Sequence, residues 1–338
     1  LDFIIQKFSV RYLIGDRNYR KYFPLFTLIT SFASIAWLSG DLRLMVLFWG
    51  ATLLSLTLLI RVNRSWKIPY EAAKVSGKSF ALGWLSLLVA VILLYVATGN
   101  WHINVTLAND DVITSGMRFI IDMLIVLAVV VPAAQFPFQS WLIESVAAPT
   151  PVSAIMHAGI VNAGGIILTR FSPVFNDPLA ITILLIIASI SVLLGSGISL
   201  VHVDYKRQLV GSTMSQMGFM LVQCALGVYS AAIIHLMLHG VFKATLFLQS
   251  GSVVERFNIP TPPSAKRSYS WVVLGRCLAI IIAILFWLGS DRSAYEILSA
   301  LILAWSLMVS WNQMVAFSRG LIGRVIGIIM IVIVALVY

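Results

Sequence analysis

Residues Ile234 to Val254 read Ile-His-Leu-Met-Leu-His-Gly-Val-Phe-Lys-Ala-Thr-Leu-Phe-Leu-Gln-Ser-Gly-Ser-Val-Val. The run is long and apolar enough to cross a bilayer as a helix, yet it carries His235, His239 and Lys243. Those three stand four residues apart, so at 3.6 residues per turn they line one helix face. A lysine at the centre of a membrane helix costs roughly 2.5–3.5 kcal/mol on insertion scales and normally faces protein or a water-filled interior. Two histidines and a lysine on one buried stripe therefore point to a path for protons or cations. A polar packing seam between helices is the competing account.

The rest of the chain sets the same scene. Of its 338 residues 60% are hydrophobic and only 11% charged, with a mean hydropathy of +0.97. A soluble domain of that size would have too little polar surface to stay dissolved. The expected fold class is all-α: a polytopic transmembrane bundle of about eleven helices forming a single membrane domain over residues 1–338. Apolar stretches place the spans near 23–38, 44–61, 80–98, 117–134, 149–171, 179–202, 208–228, 231–254, 271–289, 294–314 and 321–338. The chain opens Leu1-Asp2-Phe3 and stops inside an apolar run, so further helices are expected upstream and the other end is expected to be cut.

The net charge of +10 would suit a nucleic-acid binder, but its distribution does not. About seventeen of the 23 lysines and arginines fall in every second loop, from Lys7, Arg11, Arg17, Arg20 and Lys21 through Lys206 and Arg207 to Arg319 and Arg324. The intervening loops are neutral or acidic, with Asp110, Asp111, Asp177 and Asp291. That alternation is the positive-inside pattern of a multi-pass protein in a bacterial cytoplasmic membrane, basic loops inward. A nucleic-acid surface would gather its charge on one face. Cys224 and Cys277 lie in or beside apolar segments and form no disulfide framework or metal-ligand spacing. Haem, flavin and iron–sulfur signatures, a phosphate loop and a nucleophile elbow are all missing from the sequence. The expectation is a transporter subunit without a cofactor of its own, not an enzyme.

Loops are expected at 62–79, 99–116 and 255–270, with a short surface helix from Glu71 to Lys78. Pro132, Pro137, Pro149, Pro151 and the pair Gly164–Gly165 punctuate the middle of the chain. Proline removes a helical hydrogen bond, and backbone freed at membrane depth is tolerated only where it is buried in protein or lines a cavity. Discontinuous helices are expected there. Two polar, broken centres, around 132–165 and 206–243, are what an inverted repeat would leave.

The central third also carries recognisable blocks. Ala134-Gln-Phe-Pro-Phe-Gln-Ser-Trp-Leu142 leads to Pro149-Thr-Pro-Val-Ser-Ala-Ile-Met-His-Ala-Gly159, then Asp204-Tyr-Lys-Arg207, Ser212-Thr-Met-Ser-Gln-Met-Gly218 and the His235/His239/Lys243 helix. Over about residues 8–256 these resemble the antiporter-like membrane subunits shared by respiratory complex I and the Mrp cation/proton antiporters. Proton-pumping members of that family carry a Glu after the Trp of the second helix counted here, where this chain has Trp49-Gly50, and a Lys where it has Pro132. The late Lys-Asp-Glu-Ile-type motif is not visible after Ser290. The run Ala158-Gly-Ile-Val-Asn-Ala-Gly-Gly165 looks most like the membrane subunit of DAB-type inorganic-carbon uptake systems.

That resemblance implies a proton or sodium current that drives a large peripheral zinc partner, similar to carbonic anhydrase, in the uptake of CO2 or bicarbonate. The candidate ion pathway is Lys243, His239, His235, Lys206, His157, Glu144 and Asp122. A desolvated lysine amine can release its proton, and histidines can relay it. Each residue has a plainer alternative: Lys206 snorkelling to the interface, His157 bonding a freed carbonyl, Glu144 as a loop acid in water, and Asp122 in an ion pair with Arg118. Two other functions stay open. One is a subunit of an Na+/H+ antiporter or respiratory complex; the other is a non-conducting membrane anchor for a catalytic partner.

Overall fold

The computed structural model describes residues 1–63, 66–108, 112–250, 269–289 and 294–311, with Val325 and Ile328. Helices dominate: α1 (Asp2–Tyr12), α2 (Tyr19–Leu38), α3 (Leu42–Ile60), α4 (Lys67–Thr98), α5 (Ile103–Ala108), α6 (Ser115–Val130), α7 (Ser140–Glu144), α8 (Thr150–Ala158), α9 (Ala163–Phe171), α10 (Pro178–Val201), α11 (Tyr205–Ala225), α12 (Tyr229–Gln249), α13 (Tyr269–Gly289) and α14 (Ala294–Trp311). Among the described residues, seven helical segments are long and apolar enough to cross a membrane by length and composition, the broken Thr150–Phe171 segment counting as one. The first ten expected spans each overlap helix over their described residues. The eleventh, 321–338, lies outside the described residues apart from Val325 and Ile328, and Asp110, Asp111 and the proline-rich run 260–263 lie outside them altogether.

The loop expected at 62–79 is shorter than composition implied. Helix α4 begins at Lys67 and runs 32 residues, absorbing the predicted surface helix. Pro69 does not stop it, because the first-turn N–H groups of a helix have no intrahelical acceptor to lose. Polar residues at this basic end resemble a loop in composition, but Ala72, Ala73 and Ser76 are buried and hold the turn as helix.

The proline-punctuated middle is broken as expected. After α6 the chain turns through Val131–Gln139, with Ala134 in the left-handed region at φ 53° and a cis Phe136–Pro137 bond. Several of the freed backbone groups find partners. Gln135 N–H donates to Val130 O at 3.0 Å, the Trp141 indole to Val131 O at 2.8 Å, and Phe136 N–H to Ser191 Oγ at 2.9 Å. The second break follows Gly159: α8 ends, a 3-10 turn covers Ile160–Asn162, and α9 resumes at Ala163. Asn162 Nδ2 donates to Ala158 O at 2.8 Å. By contrast, the second polar centre is not broken. Residues 206–243 lie on two continuous helices, α11 and α12, joined by a short turn; no proline interrupts them.

Helices α10 and α11 pack antiparallel at close range over glycines. A methyl on Gly195 would lie 2.5 Å from Ser215 N, and one on Gly211 would lie 2.7 Å from Ser199 N. Arg170, at the end of α9, ties off α2 by donating to Ala36 O, Trp37 O and Ser39 O at 3.3, 2.7 and 2.6 Å. Those are carbonyls of a helix C-terminus, which lack intrahelical donors. Residues 1–255 form one compact unit and 256–338 a second. Within the second, Ala279 on α13 is buried with Leu303, Leu307 and Trp311 of α14, and the Trp311 indole donates to Trp271 O at 2.8 Å.

Candidate functional site

Helix α12 presents His235, His239 and Lys243 toward α11 and α8. Lys243 is 1% exposed and His239 4%, while His235 is half-buried, so the stripe deepens into a buried seam toward Lys243. The Lys243 ammonium donates to Leu209 O at 3.1 Å and to Ser212 Oγ. Both acceptors are neutral groups of α11. A lysine held in this way can be loaded with a proton or relieved of one without breaking an ion pair.

Two more contacts tie the seam together. Thr213 Oγ1 donates to the same Leu209 O at 2.9 Å, so its oxygen receives His157 Nδ1–H at 3.2 Å. The hydroxyl thus fixes the tautomer of fully buried His157, leaving Nε2 bare; that atom has no protein partner among the described residues. The His157 ring stacks on Phe247 of α12, centroids 4.3 Å apart. His239 has no protein partner on either ring nitrogen among the described residues, nor does Ser153 Oγ. His235 lies 6.2 Å from His239, ring to ring, and is held by Gln216 and Gln223.

Lys206 stands at the other end of α11, one turn before Leu209. Its amine reaches Ala148 O at 3.5 Å and lines a cavity of about 340 Å3 with Tyr12, Asp16 and Tyr22. The structure therefore gathers Lys206, His157, His239, His235 and Lys243 along α11. The other two candidates are placed differently. Glu144 is exposed at the end of α7. Asp122 is buried on α6, where its Oδ2 accepts the N–H groups of Asn176 and Asp177 at 3.1 and 2.8 Å. It pins the turn before α10, a contact that sequence spacing did not assign to it.

Four residues had no individual role in the sequence reading: Ser212, Thr213, Gln216 and Gln223. The available signal was polarity at membrane depth. Residues 212, 216 and 223 repeat at four and seven, the spacing of one helix face.

The positions of the two missing charges are filled. A methyl on Gly50 would come 2.5 Å from the Trp84 indole nitrogen, which itself donates to Val46 O at 2.9 Å. Pro132 lies against the adjacent Gly83, its ring 3.2 Å from where a methyl there would sit. Neighbouring residues of α4 thus close both sites with apolar packing.

A buried lysine and histidines on a continuous helix beside a proline-broken one is an arrangement with known relatives. The family described as NADH:quinone oxidoreductase/Mrp antiporter, TM matches residues 39–327. The chain belongs to this family. It is 62% identical over its full length to the probable inorganic carbon transporter subunit DabB of Bacillus subtilis (strain 168), covering 67% of that protein. It is 58% identical over 99% of its length to the Bacillus anthracis protein of the same name, covering 66% of it. The chain thus spans about two thirds of the length of these relatives. Among solved structures, the Mrp complex from Dietzia sp. DQ12-45-1b superposes with a TM-score of 0.68 at 27% identity, over 93% of this chain and 34% of that one. The membrane-spanning, antiporter-like assignment is therefore shown by sequence and by fold.

Proposed function

We propose that this chain is the ion-translocating membrane subunit of a bacterial inorganic-carbon uptake complex. It passes H+ or Na+ along α11 and α12 and thereby energises a peripheral, zinc-containing partner similar to carbonic anhydrase. The names of the Bacillus relatives support the carbon assignment; the membership in an antiporter family supports the current.

The observation that carries the reading is the row of polar groups on α11, whose gap between Gln216 and Gln223 is bridged by His235 of α12. From Lys206 through Leu209 O, Ser212 and Thr213 to Gln216 and Gln223 it covers 18 residues of helix, about 25 Å end to end at 1.5 Å per residue. That approaches the roughly 30 Å hydrocarbon thickness of a bilayer. Three of the titratable partners meet the row at their own levels: Lys243 at Leu209 and Ser212, His157 at Thr213, His235 at Gln216 and Gln223. Protons would move between Lys206, Lys243, the histidines and intervening water, with basic loops facing the cytoplasm. The closed sites at Gly50 and Pro132 take no part.

The test is flux in liposomes holding the intact complex. Lys243→Ala should cut the pH-gradient-driven current at least a hundredfold while the complex stays assembled and equally abundant. Normal current in that variant would sink the pathway. A second reading, an Na+/H+ antiporter subunit, draws on the Mrp likeness; salt tolerance conferred without a carbon phenotype would favour it.

A further inference from the structure

The contacts of His235 go further than a place on the stripe. Its Nδ1 lies 3.2 Å from Gln223 Oε1 and its Nε2 lies 2.9 Å from Gln216 Oε1. The two glutamines stand seven residues apart on α11 and hold the ring from both sides, with the Phe219 ring 5.7 Å away. Turning the ring would break both contacts, so proton exchange has to occur on a ring held in place.

A neutral imidazole has one N–H and one bare nitrogen, whereas imidazolium donates from both. With both carboxamide oxygens facing it, the clamp matches the charged ring. When the ring is neutral, one glutamine must turn its amide over and offer N–H to the bare nitrogen. The two are not equally free to turn: Gln223 is 5% exposed, while Gln216 is exposed. The Gln216 amide has room to turn, whereas that of Gln223 is confined by packing.

We propose that Gln223 and Gln216 are positioning residues that make His235 a one-proton store: Gln223 keeps a proton permanently on Nδ1, and Gln216 gates loading and unloading at Nε2. In the loading step a hydronium or a water-borne proton forms the Nε2–H bond, and Gln216 then presents its oxygen. In unloading that N–H bond breaks to water and Gln216 turns its NH2 inward. One proton enters and one leaves, with no change at Nδ1. This deepens the ion-pathway reading and rests on it for its purpose, though not for its geometry.

The experiment is 15N NMR of histidine-labelled complex, with the His235 signals assigned by difference against His235→Gln. Neutral His235 should be the Nδ1–H tautomer, although histidine in water favours Nε2–H. Gln223→Leu should move it to Nε2–H, Gln216→Leu should leave it at Nδ1–H, and Gln223→Glu, which keeps an acceptor, should restore the wild-type tautomer. Flux should fall about tenfold in both Leu variants. An Nε2–H tautomer in the wild type, or an unmoved tautomer in Gln223→Leu, overturns the clamp even if Lys243→Ala abolishes current. Correct tautomers with an unimpaired Lys243→Ala current would instead keep the clamp and remove the pathway.

Discussion

At the scale of single residues, the seam shows how much one neutral partner can matter. Lys243 has a carbonyl and a hydroxyl as its acceptors on α11. Removing the hydroxyl in Ser212→Ala leaves Leu209 O and should slow current about tenfold, equivalent to about 1.4 kcal/mol, by the usual worth of a hydrogen bond to a charged group; stopped-flow measurement of liposome acidification would show it. Away from the seam, Asp41 caps α3, accepting Arg43 N–H at 2.8 Å, and pairs with the Arg43 guanidinium at 2.7 Å. The Arg43 side-chain hydrogen bond is the main cause that lowers the Asp41 carboxyl to about 2. The stability it gives is thus fully present above the ordinary carboxylate value near 3.9 and is lost as pH falls through about 2. Because the pair is exposed, the ionic part is small. Asp41→Ala should cost about 1 kcal/mol, chiefly the cap, and Asp41→Asn less; thermal unfolding in detergent at pH 7 separates them. Asp before an apolar helix is a standard start signal. The roles of Ser212 and Thr213 were not legible in the sequence, because they depend on which helices lie opposite.

At the scale of elements, α4 decides what the first half of the molecule can be. Its Gly83 and Trp84 fill the space beside Pro132 and Gly50. Gly50→Ala should therefore destabilise by roughly 1–3 kcal/mol through overpacking. The same substitution made together with Trp84→Leu should cost clearly less than the two single changes added, since the residues touch. Additive losses in a melting series would show that the indole does not occupy that space. The helices themselves were legible as apolar runs, and the break after α6 as a proline cluster. The continuity of α11 and α12 was not, because the polar residues that suggested a broken centre bond to neighbouring helices and leave the backbone ladder intact. The length of α4 was missed for the converse reason: its basic first turns look solvated in composition, but Ala72, Ala73 and Ser76 are packed.

At the scale of the whole molecule, the chain spans about two thirds of its Bacillus relatives, and those relatives are named as subunits. Purified from its native host in mild detergent, the complex should contain a single large zinc-bearing partner by mass spectrometry and metal analysis. Several small hydrophobic subunits in its place would move the protein to the antiporter or respiratory branch. What the sequence determined by itself was the solvent and the class. Apolar runs of bilayer length and three titratable residues on one helix face follow from local composition and periodicity, which act within a single segment. What only the tertiary structure decided was which polar groups meet. The neutral grip on Lys243, the tautomer-setting Thr213, the clamp on His235 and the diversion of Asp122 to a turn all join residues from different helices. Those pairings are set by packing distance and angle, and the spacing of residues along one helix does not encode what lies against it.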